Sequence, residues 1–397
     1  MRLQTEYDVV VLGAGPGGST FGKKAAAAGM KVLVLDKKKE IGTPVRCGEG
    51  IAEHSEAELG IKVLPNAIAS TIDGARVFAP NGKTIRLKTP STRGYVLERK
   101  LFDKHLAMDA VRAGAHVLPH TLAASLIKKD GKPAGVKAVH MGEEIEFRAP
   151  LVVSAEGMEA KIAREAGFDA KATLYDVDTC FEYEMAGVPC EPYIDLYFST
   201  RIANRGYVWI FPKGKDVANV GIGIGGNVNQ NPKVQLDLFI SEHPELFKRA
   251  QPVEYKGGII SVGAPINEFV KDNFMVIGTA AHQVDPIHGG GIGLAIEAGN
   301  LAAESAVEAF KKGDYSKKNL LPYEEKWRKQ TGPKLAKRLM LRKVLEKLSD
   351  DDWNHIVGSI NEADLDKVLS GDYKPVVAKV LITRPTLLKV LGVLTGI

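Results

Sequence analysis

At 397 residues, with 45% hydrophobic and 25% charged positions, the chain has the length and composition of a globular protein of two or three domains, each with its own core. A net charge of +5 suits an anionic partner without requiring one. Three cysteines (Cys47, Cys180, Cys190) cannot build a disulfide framework, no CxxC pair indicates zinc or an iron–sulfur cluster, and no apolar run reaches the roughly twenty residues of a membrane span. No histidine–carboxylate cluster has metal-ligand spacing, and no aromatic-rich basic sheet or reading helix points to nucleic acid. With a strand beginning so near Met1 and no signal peptide in view, a cytoplasmic protein is expected.

The apolar run Val9–Leu12 leads into Gly13-Ala14-Gly15-Pro16-Gly17-Gly18, an alanine-rich helix to Ala28, a second apolar run Val32–Leu35, and the acid Asp36. Strand, glycine turn, helix, strand and acid make a dinucleotide grip. Gly13 allows the tight turn, Gly15 lets backbone approach a pyrophosphate, Gly18 lets helix and strand pack closely, and Asp36 stands where a carboxylate reaches a ribose hydroxyl.

After a loop at 41–50, residues 72–96 read as short strands with a hairpin at Asn81-Gly82. An amphipathic helix is predicted over 99–113, with Leu101, Phe102, Leu106 and Val111 on its buried face. A strand follows at 116–118, two more flank Asp130-Gly131, and 151–154 returns to the core sheet. Residues 172–264 alternate as strands around a helix near 234–240. A buried strand at 273–278 precedes a glycine turn and a long helix over 293–311, and the remainder is helical. The expected fold is α/β (α+β overall). A Rossmann-like domain is assembled from the separated segments 1–70, 98–170 and 265–312. An antiparallel-sheet domain for substrate spans 71–97 and 171–264, and a helical C-terminal region spans 313–397.

Residues 278–293, Gly278-Thr279-Ala280-Ala281-His282-Gln283-Val284-Asp285-Pro286-Ile287-His288-Gly289-Gly290-Gly291-Ile292-Gly293, resemble the second flavin fingerprint of the para-hydroxybenzoate hydroxylase-like flavoproteins. Arg99, opening a helix after Tyr95-Val96-Leu97, resembles their flavin-contacting arginine. Pro44-Val45-Arg46-Cys47-Gly48-Glu49-Gly50 together with Gly206-Tyr207-Val208-Trp209-Ile210-Phe211-Pro212 resembles the geranylgeranyl reductase family within that superfamily, in particular the archaeal digeranylgeranylglycerophospholipid reductases. The likeness covers nearly the whole chain, Tyr323-Glu324-Glu325-Lys326-Trp327-Arg328-Lys329 included.

The resemblance implies FAD. Its adenosine and pyrophosphate would lie on Gly13, Gly15, Pro16, Gly18, Asp36 and Lys37, with the backbone near Ala123 bordering the adenine. The loop of Arg46, Cys47, Gly48 and Gly50 would lie over the flavin, with Arg99, Thr279, Gly291 and Ile292 also contacting it. A helix N-terminus at the pyrimidine edge stabilises the reduced anion. Two positions depart from the family pattern: Thr279 replaces an aspartate of the second fingerprint, and Glu156-Gly157 replaces Asp-Gly, so FAD is expected to bind, with weakening traced first to these sites.

The implied activity is saturation of isoprenoid double bonds in geranylgeranyl chains of ether lipids or their precursors, by hydride from reduced flavin and a proton. Cys47 is the expected acid or orienting group, or else a loop cysteine packed against the flavin; Arg46 favours its thiolate, Glu49 and burial its thiol. Tyr207, Trp209 and Phe211 alternate along a strand and share one side, forming either a wall for a prenyl chain or an ordinary sheet core. His282 and His288 could shuttle protons or satisfy backbone, and Cys180 and Cys190 are expected to be inert. Thirteen lysines and arginines against four acids over 311–347, with Leu341, Val344, Leu345 and Leu348 on one face, suit either a solvated helix or peripheral contact with anionic lipid. The apolar end, 387–394, would dock or line the lipid path. The electron donor stays open between ferredoxin and NAD(P)H. The rival readings are a flavin monooxygenase or halogenase and a non-catalytic flavin or prenyl-lipid binder.

Overall fold

The computed structural model describes residues 4–387 apart from 90–91, 371 and 373. Two compact units emerge: 1–45, 99–171 and 264–333 form the first, and 46–98, 172–263 and 334–397 the second.

In the first unit, Val9–Leu12, Val32–Leu35 and Leu151–Ser154 are buried at every position, as parallel strands covered on both faces must be. The six-stranded sheet runs Val270–Lys271, Phe274–Val276, Leu151–Ser154, Val9–Leu12, Val32–Leu35, His116–Leu118, parallel except at its first pair. Thr121–Lys129, Lys132–His140 and Glu143–Arg148 make a three-stranded antiparallel sheet. Asp130 and Gly131 take φ of 52° and 77°, the two-residue turn expected there. Helix Pro16–Ala27 packs against Arg99–Arg112 and Ile292–Lys312. Val111, expected in the buried face of Arg99–Arg112, is 53% exposed, while Ala107 and Ala110 are buried instead. The reason is steric: this helix meets the neighbouring one through small residues, Ala110 lying opposite Gly22.

The second unit is built on a seven-stranded sheet in the order Gln251–Ser261, Val177–Ala186, Val217–Gly225, Tyr207–Pro212, Tyr193–Tyr197, Gly74–Phe78, Thr84–Leu87. It is antiparallel except where Gly74–Phe78 runs parallel to Tyr193–Tyr197. One face carries Tyr183, Met185, Val208, Ile210, Val220, Ile222 and Ile224, covered by Leu236 and Phe239 of helix Pro232–Glu242. By strict alternation the opposite face carries Glu182, Glu184, Trp209, Phe211, Asn219 and Gly221.

The domain boundaries differ from those expected. Residues 46–70 group with the second unit because Gly50–Ala52 pairs with Gly94–Leu97, which pairs in turn with Ile68–Ile72. The C-terminal helices do not stand alone. Helix Lys317–Gln330 buries Tyr323 and Trp327 completely in the first unit, whereas the chain from 334 belongs to the second. There Arg342, counted above among basic surface residues, is 7% exposed, its guanidinium on Asp178 at 2.8 Å and on Glu346 at 2.6 Å. Val344 and Leu348 are buried too, so much of the apolar face of this stretch is spent on internal packing. Positions 388–394 of the apolar end lie outside the described residues.

Candidate active site

The first unit gathers the dinucleotide residues. Gly13 has φ +107°, and a Cβ there would stand 2.3 Å from the Ala155 carbonyl oxygen; at Gly18 it would stand 1.9 Å from that of Gly13. Only glycine fits either place. Gly15 differs: its Cβ direction meets nothing within 4 Å, leaving room in front of the N-terminus of Pro16–Ala27. No side chain caps that terminus and no acid sits in its first turn, so its N–H groups suit a pyrophosphate. Asp36, 8% exposed, accepts from the Ala14 N–H through Oδ2 and the Lys38 N–H through Oδ1, both at 2.9 Å. Beside it Lys37, Lys38, His120, Leu122, Val139 and Met141 line an open groove. Of these the sequence singled out Lys37 alone, which also pairs with Glu159; Lys38 follows it, and His120, Leu122, Val139 and Met141 come from chain returns that no local pattern announces. Ala123 sits on the strand Thr121–Lys129, opposite Ala138 at a register shift.

A second uncapped helix N-terminus opens at Gly291, the N-cap of Ile292–Lys312. The Cβ direction of Gly291 reaches Thr279 Oγ1 at 3.8 Å, so Thr279, Gly291 and Ile292 lie together at one helix end. The preceding turn is pinned from behind. Gln283 Oε1 accepts from the Gly278 N–H at 2.7 Å, Gln283 Nε2 donates to the Tyr323 hydroxyl at 2.9 Å, and that hydroxyl donates to the Val276 carbonyl at 2.9 Å. His288 serves the backbone: its Nδ1 accepts the Gly290 N–H at 3.0 Å, with Nε2 3.4 Å from Asp285. Arg99 forms a two-pronged pair with Asp103, both contacts 2.8 Å.

The Asp-to-Glu departure has a structural explanation. Glu156 folds back onto its own chain, accepting from Ser154 Oγ at 2.7 Å and from the N–H groups of Ile162 and Ala163 at 3.0–3.2 Å. Its longer side chain thereby caps the short helix Lys161–Glu165.

The second unit gathers Arg46, Cys47, Gly48, Gly50, Tyr207, Trp209 and Phe211. The indole of Trp209 lies over Gly221, where any Cβ would come within 2.3 Å of the ring. A Cβ at Gly48 would stand 3.1 Å from Phe211 and 3.3 Å from Trp209 Nε1; one at Gly50 would stand 3.2 Å from Phe211. The loop is thus laid across the aromatic face of the sheet. Tyr207, Trp209 and Phe211 nonetheless remain half-exposed, unlike Val208 and Ile210 on the other side. Cys47 is half-buried, and its sulfur accepts the Glu49 N–H at 3.2 Å. Burial pushes the Cys180 thiol far up and that of Cys190 up to about 12, so neither is a nucleophile near neutral pH.

A buried charge cluster under this loop went unseen in the sequence. Glu49, 1% exposed and at φ +74°, turns its carboxylate inward to Lys213 at 3.0 Å, Lys256 at 3.1 Å and Asn219 Nδ2 at 2.7 Å. Lys256 also meets Glu184 and Glu182, each at 3.3 Å, and Glu182 accepts the Trp209 indole N–H at 2.7 Å. Burial alone would lower both lysines; the surrounding glutamates outweigh it and raise them. Glu184, which burial alone would raise, is held below the usual carboxylate range by its bonds to Lys213 and Lys256. Glu182 goes the other way: burial pushes it up to about 7 against the pull of Lys256 and the Trp209 N–H. The one available signal in the sequence is Asn219 within the otherwise apolar strand Val217–Gly225.

Glu182 makes stability pH-dependent. Between its ordinary value of 4.5 and about 7, the folded state keeps a proton that the unfolded chain has released. Stability should therefore fall as pH rises through that window, with a slope on the order of 1.4 kcal/mol per pH unit at most. Denaturant titrations across pH 4–8 check this: Glu182→Gln should flatten the slope, and an unchanged slope would exclude Glu182 as its source.

A Rossmann-type unit with two uncapped helix N-termini and a buried carboxylate after its second strand, joined in one chain to a sheet unit with an aromatic face, fits an FAD-dependent oxidoreductase. The sequence matches the models of an FAD binding domain over residues 6–186 and of the geranylgeranyl reductase catalytic domain over residues 176–260. The digeranylgeranylglycerophospholipid reductase of Methanocaldococcus jannaschii is 39% identical over 98% of both chains, and that of Methanothrix thermoacetophila 40% identical over 91% of this chain and 93% of its own. The chain belongs to the digeranylgeranylglycerophospholipid reductase family. Among solved structures, a geranylgeranyl bacteriochlorophyll reductase-like protein from Thermoplasma acidophilum superposes with a TM-score of 0.89 at 36% identity, over 97% of this chain and 98% of that one. A flavin-dependent brominase shares the fold at 19% identity, with a TM-score of 0.74 over 96% of this chain and 99% of its own.

Proposed function

We propose that the protein saturates isoprenoid double bonds in geranylgeranyl chains of archaeal-type ether phospholipids or their precursors. Family membership supports the reaction class, and the half-exposed aromatic row Tyr207, Trp209 and Phe211 carries the substrate reading, since it offers a continuous apolar surface to a flexible prenyl chain. When bound, reduced FAD supplies a hydride to one alkene carbon. The chain's own residues do the rest. Gly13, Gly15, Pro16 and Gly18 hold the pyrophosphate, Asp36 the ribose, Ala123 and Lys37 the adenosine edge, and Thr279, Gly291 and Ile292 the flavin end; Arg99 holds the flavin from its own helix. In the second unit, Arg46, Cys47, Gly48 and Gly50 form the loop that meets the flavin, and the Cys47 thiol gives the second alkene carbon its proton or orients the group that does.

The first test is anaerobic incubation with dithionite and a digeranylgeranyl lipid, read by mass spectrometry. Product mass should climb in steps of two hydrogens only with FAD present. Unchanged lipid beside reducible bound FAD would favour oxygen chemistry instead. Cys47→Ala should lower turnover about 10- to 100-fold with FAD content retained; full turnover would end the catalytic reading of the thiol.

The electron donor is a ferredoxin or NAD(P)H, distinguished by which of them reduces the bound flavin anaerobically. Contact with the membrane is peripheral. Among the described residues no helix is long and apolar enough to cross one, and the exposed Lys334, Lys337, Lys343 and Lys347 supply the charge. Because Val344 and Leu348 face inward, the attraction is electrostatic rather than insertive. Sedimentation with anionic vesicles should therefore be lost at high salt; salt-resistant or absent binding would refute it.

A further inference from the structure

The loop carrying Cys47 and the strand carrying Trp209 are linked through Lys256, and Lys213, just beyond that strand, pairs with the same Glu49 carboxylate at 3.0 Å. Lys256 Nζ lies 3.1 Å from Glu49 Oε2, two residues after Cys47, and 3.3 Å from Glu182 Oε1, while Glu182 Oε2 receives the Trp209 indole N–H at 2.7 Å. Asn219 braces the link, accepting from Lys256 at 3.0 Å and donating to Glu49 at 2.7 Å and the Gly48 carbonyl at 3.3 Å. Lys256, Glu182, Gly221 and Trp209 lie in one row across four adjacent strands, so the link is as stiff as the sheet beneath it.

Burial on this scale is expensive unless geometry matters. Glu49, Glu182 and Lys256 are each under 5% exposed, and an apolar trio would fill the same volume without desolvating any charge. Three largely buried carboxyl groups (Glu49, Glu182, Glu184) surround two ammonium groups (Lys213, Lys256), and Glu182 Oε1 meets Lys256 as an ion pair at 3.3 Å outside hydrogen-bond geometry. The cluster is therefore not built for maximum stability; what it does is hold a backbone carrying Cys47, with Glu49 in a left-handed conformation, against Trp209.

We infer that Lys256 is a positioning residue for alkene reduction: through Glu49 and Glu182 its ammonium fixes the Cys47 loop and the Trp209 indole in one arrangement, setting the thiol's place relative to the apolar surface. This rests on the reductase reading. Cutting the link should leave FAD content largely retained, because Gly13, Gly15, Gly18 and Asp36, the pyrophosphate and ribose residues, belong to the other unit.

The test compares wild type, Lys256→Arg and the double variant Lys256→Met/Glu182→Gln, which removes the link together with one carboxylate so that less charge is stranded. Two readouts are taken: kcat and KM for lipid reduction, and the rate at which iodoacetamide alkylates Cys47, followed by peptide mass. The double variant should lose at least tenfold in kcat with KM changed less than threefold and FAD content retained. Its Cys47 should alkylate at least threefold faster, and Lys256→Arg should recover most of both. Wild-type kcat and alkylation rate in the folded double variant would overturn the proposal. If that variant does not fold, the near-isosteric Glu182→Gln decides: kcat down and alkylation up support the link, and no change in either refutes it. Wild-type protein that reduces no lipid would sink the reductase reading instead, while the alkylation rates would still report on the link.

Discussion

Gly15→Val is expected to weaken FAD binding at least 100-fold, about 2.7 kcal/mol, with the fold intact. The glycine's Cβ direction opens onto space in front of the helix Pro16–Ala27, where nothing of the protein lies within 4 Å. A branched side chain meets no protein atom there, so the apoprotein is untouched, but it occupies the place where a pyrophosphate must approach the helix N–H groups. Gly18→Ala makes the contrast. Its new Cβ would stand 1.9 Å from the Gly13 carbonyl oxygen, a backbone atom that cannot step aside, so it should destabilise the first unit as well. Flavin retained on purification and circular dichroism separate the two outcomes. Gly15→Val protein with full flavin content would mean that the pyrophosphate does not use this turn.

The second large effect is on stability. Arg342→Ala should cost about 3–5 kcal/mol and lower the melting midpoint of the second unit by on the order of 10 °C. Removing the guanidinium strands the nearly inaccessible Asp178 without its cation, while Glu346 keeps Arg205 at 2.8 Å. Burial already pushes Asp178 up against the pull of Arg342, so without that arginine its carboxyl should take up a proton in the folded state. Destabilisation should consequently be milder at pH 5 than at pH 7. Calorimetry at the two pH values checks this; a loss below 1 kcal/mol would show that the helix Gly332–Leu345 is held by its apolar contacts alone.

Asp178 and Arg342 also show where sequence reading stops. A count of cations along 311–347 describes a basic, amphipathic stretch, and nothing local distinguishes Arg342 from Lys343. Only the return of that helix to a strand 164 residues earlier buries one and leaves the other in water. Val111 fails for a related reason: helical periodicity names an apolar stripe but not which edge of it a small-residue neighbour will cover.

The nucleotide grip, by contrast, could be read directly. Gly13, Gly15, Gly18 and Asp36 lie within one strand–turn–helix–strand unit, and the backbone conformations that unit needs are imposed by the residues themselves, through the missing Cβ of glycine and the buried alternatives left to an apolar strand. The alternation of Tyr207, Trp209 and Phe211 likewise settled that they share a face. What could not be read was what that face rests on. Glu49, Glu182, Lys213, Asn219 and Lys256 are contributed by two loops and three strands separated by up to 207 residues. Each taken alone looks like an ordinary surface charge. Local rules govern whatever a chain must do with its own backbone, and for this protein that covered the cofactor turn, the strand faces and the family. The partner of a buried charge is chosen by desolvation, which acts only once distant segments have closed over it, and so the cluster beneath Cys47 belongs to the tertiary structure alone.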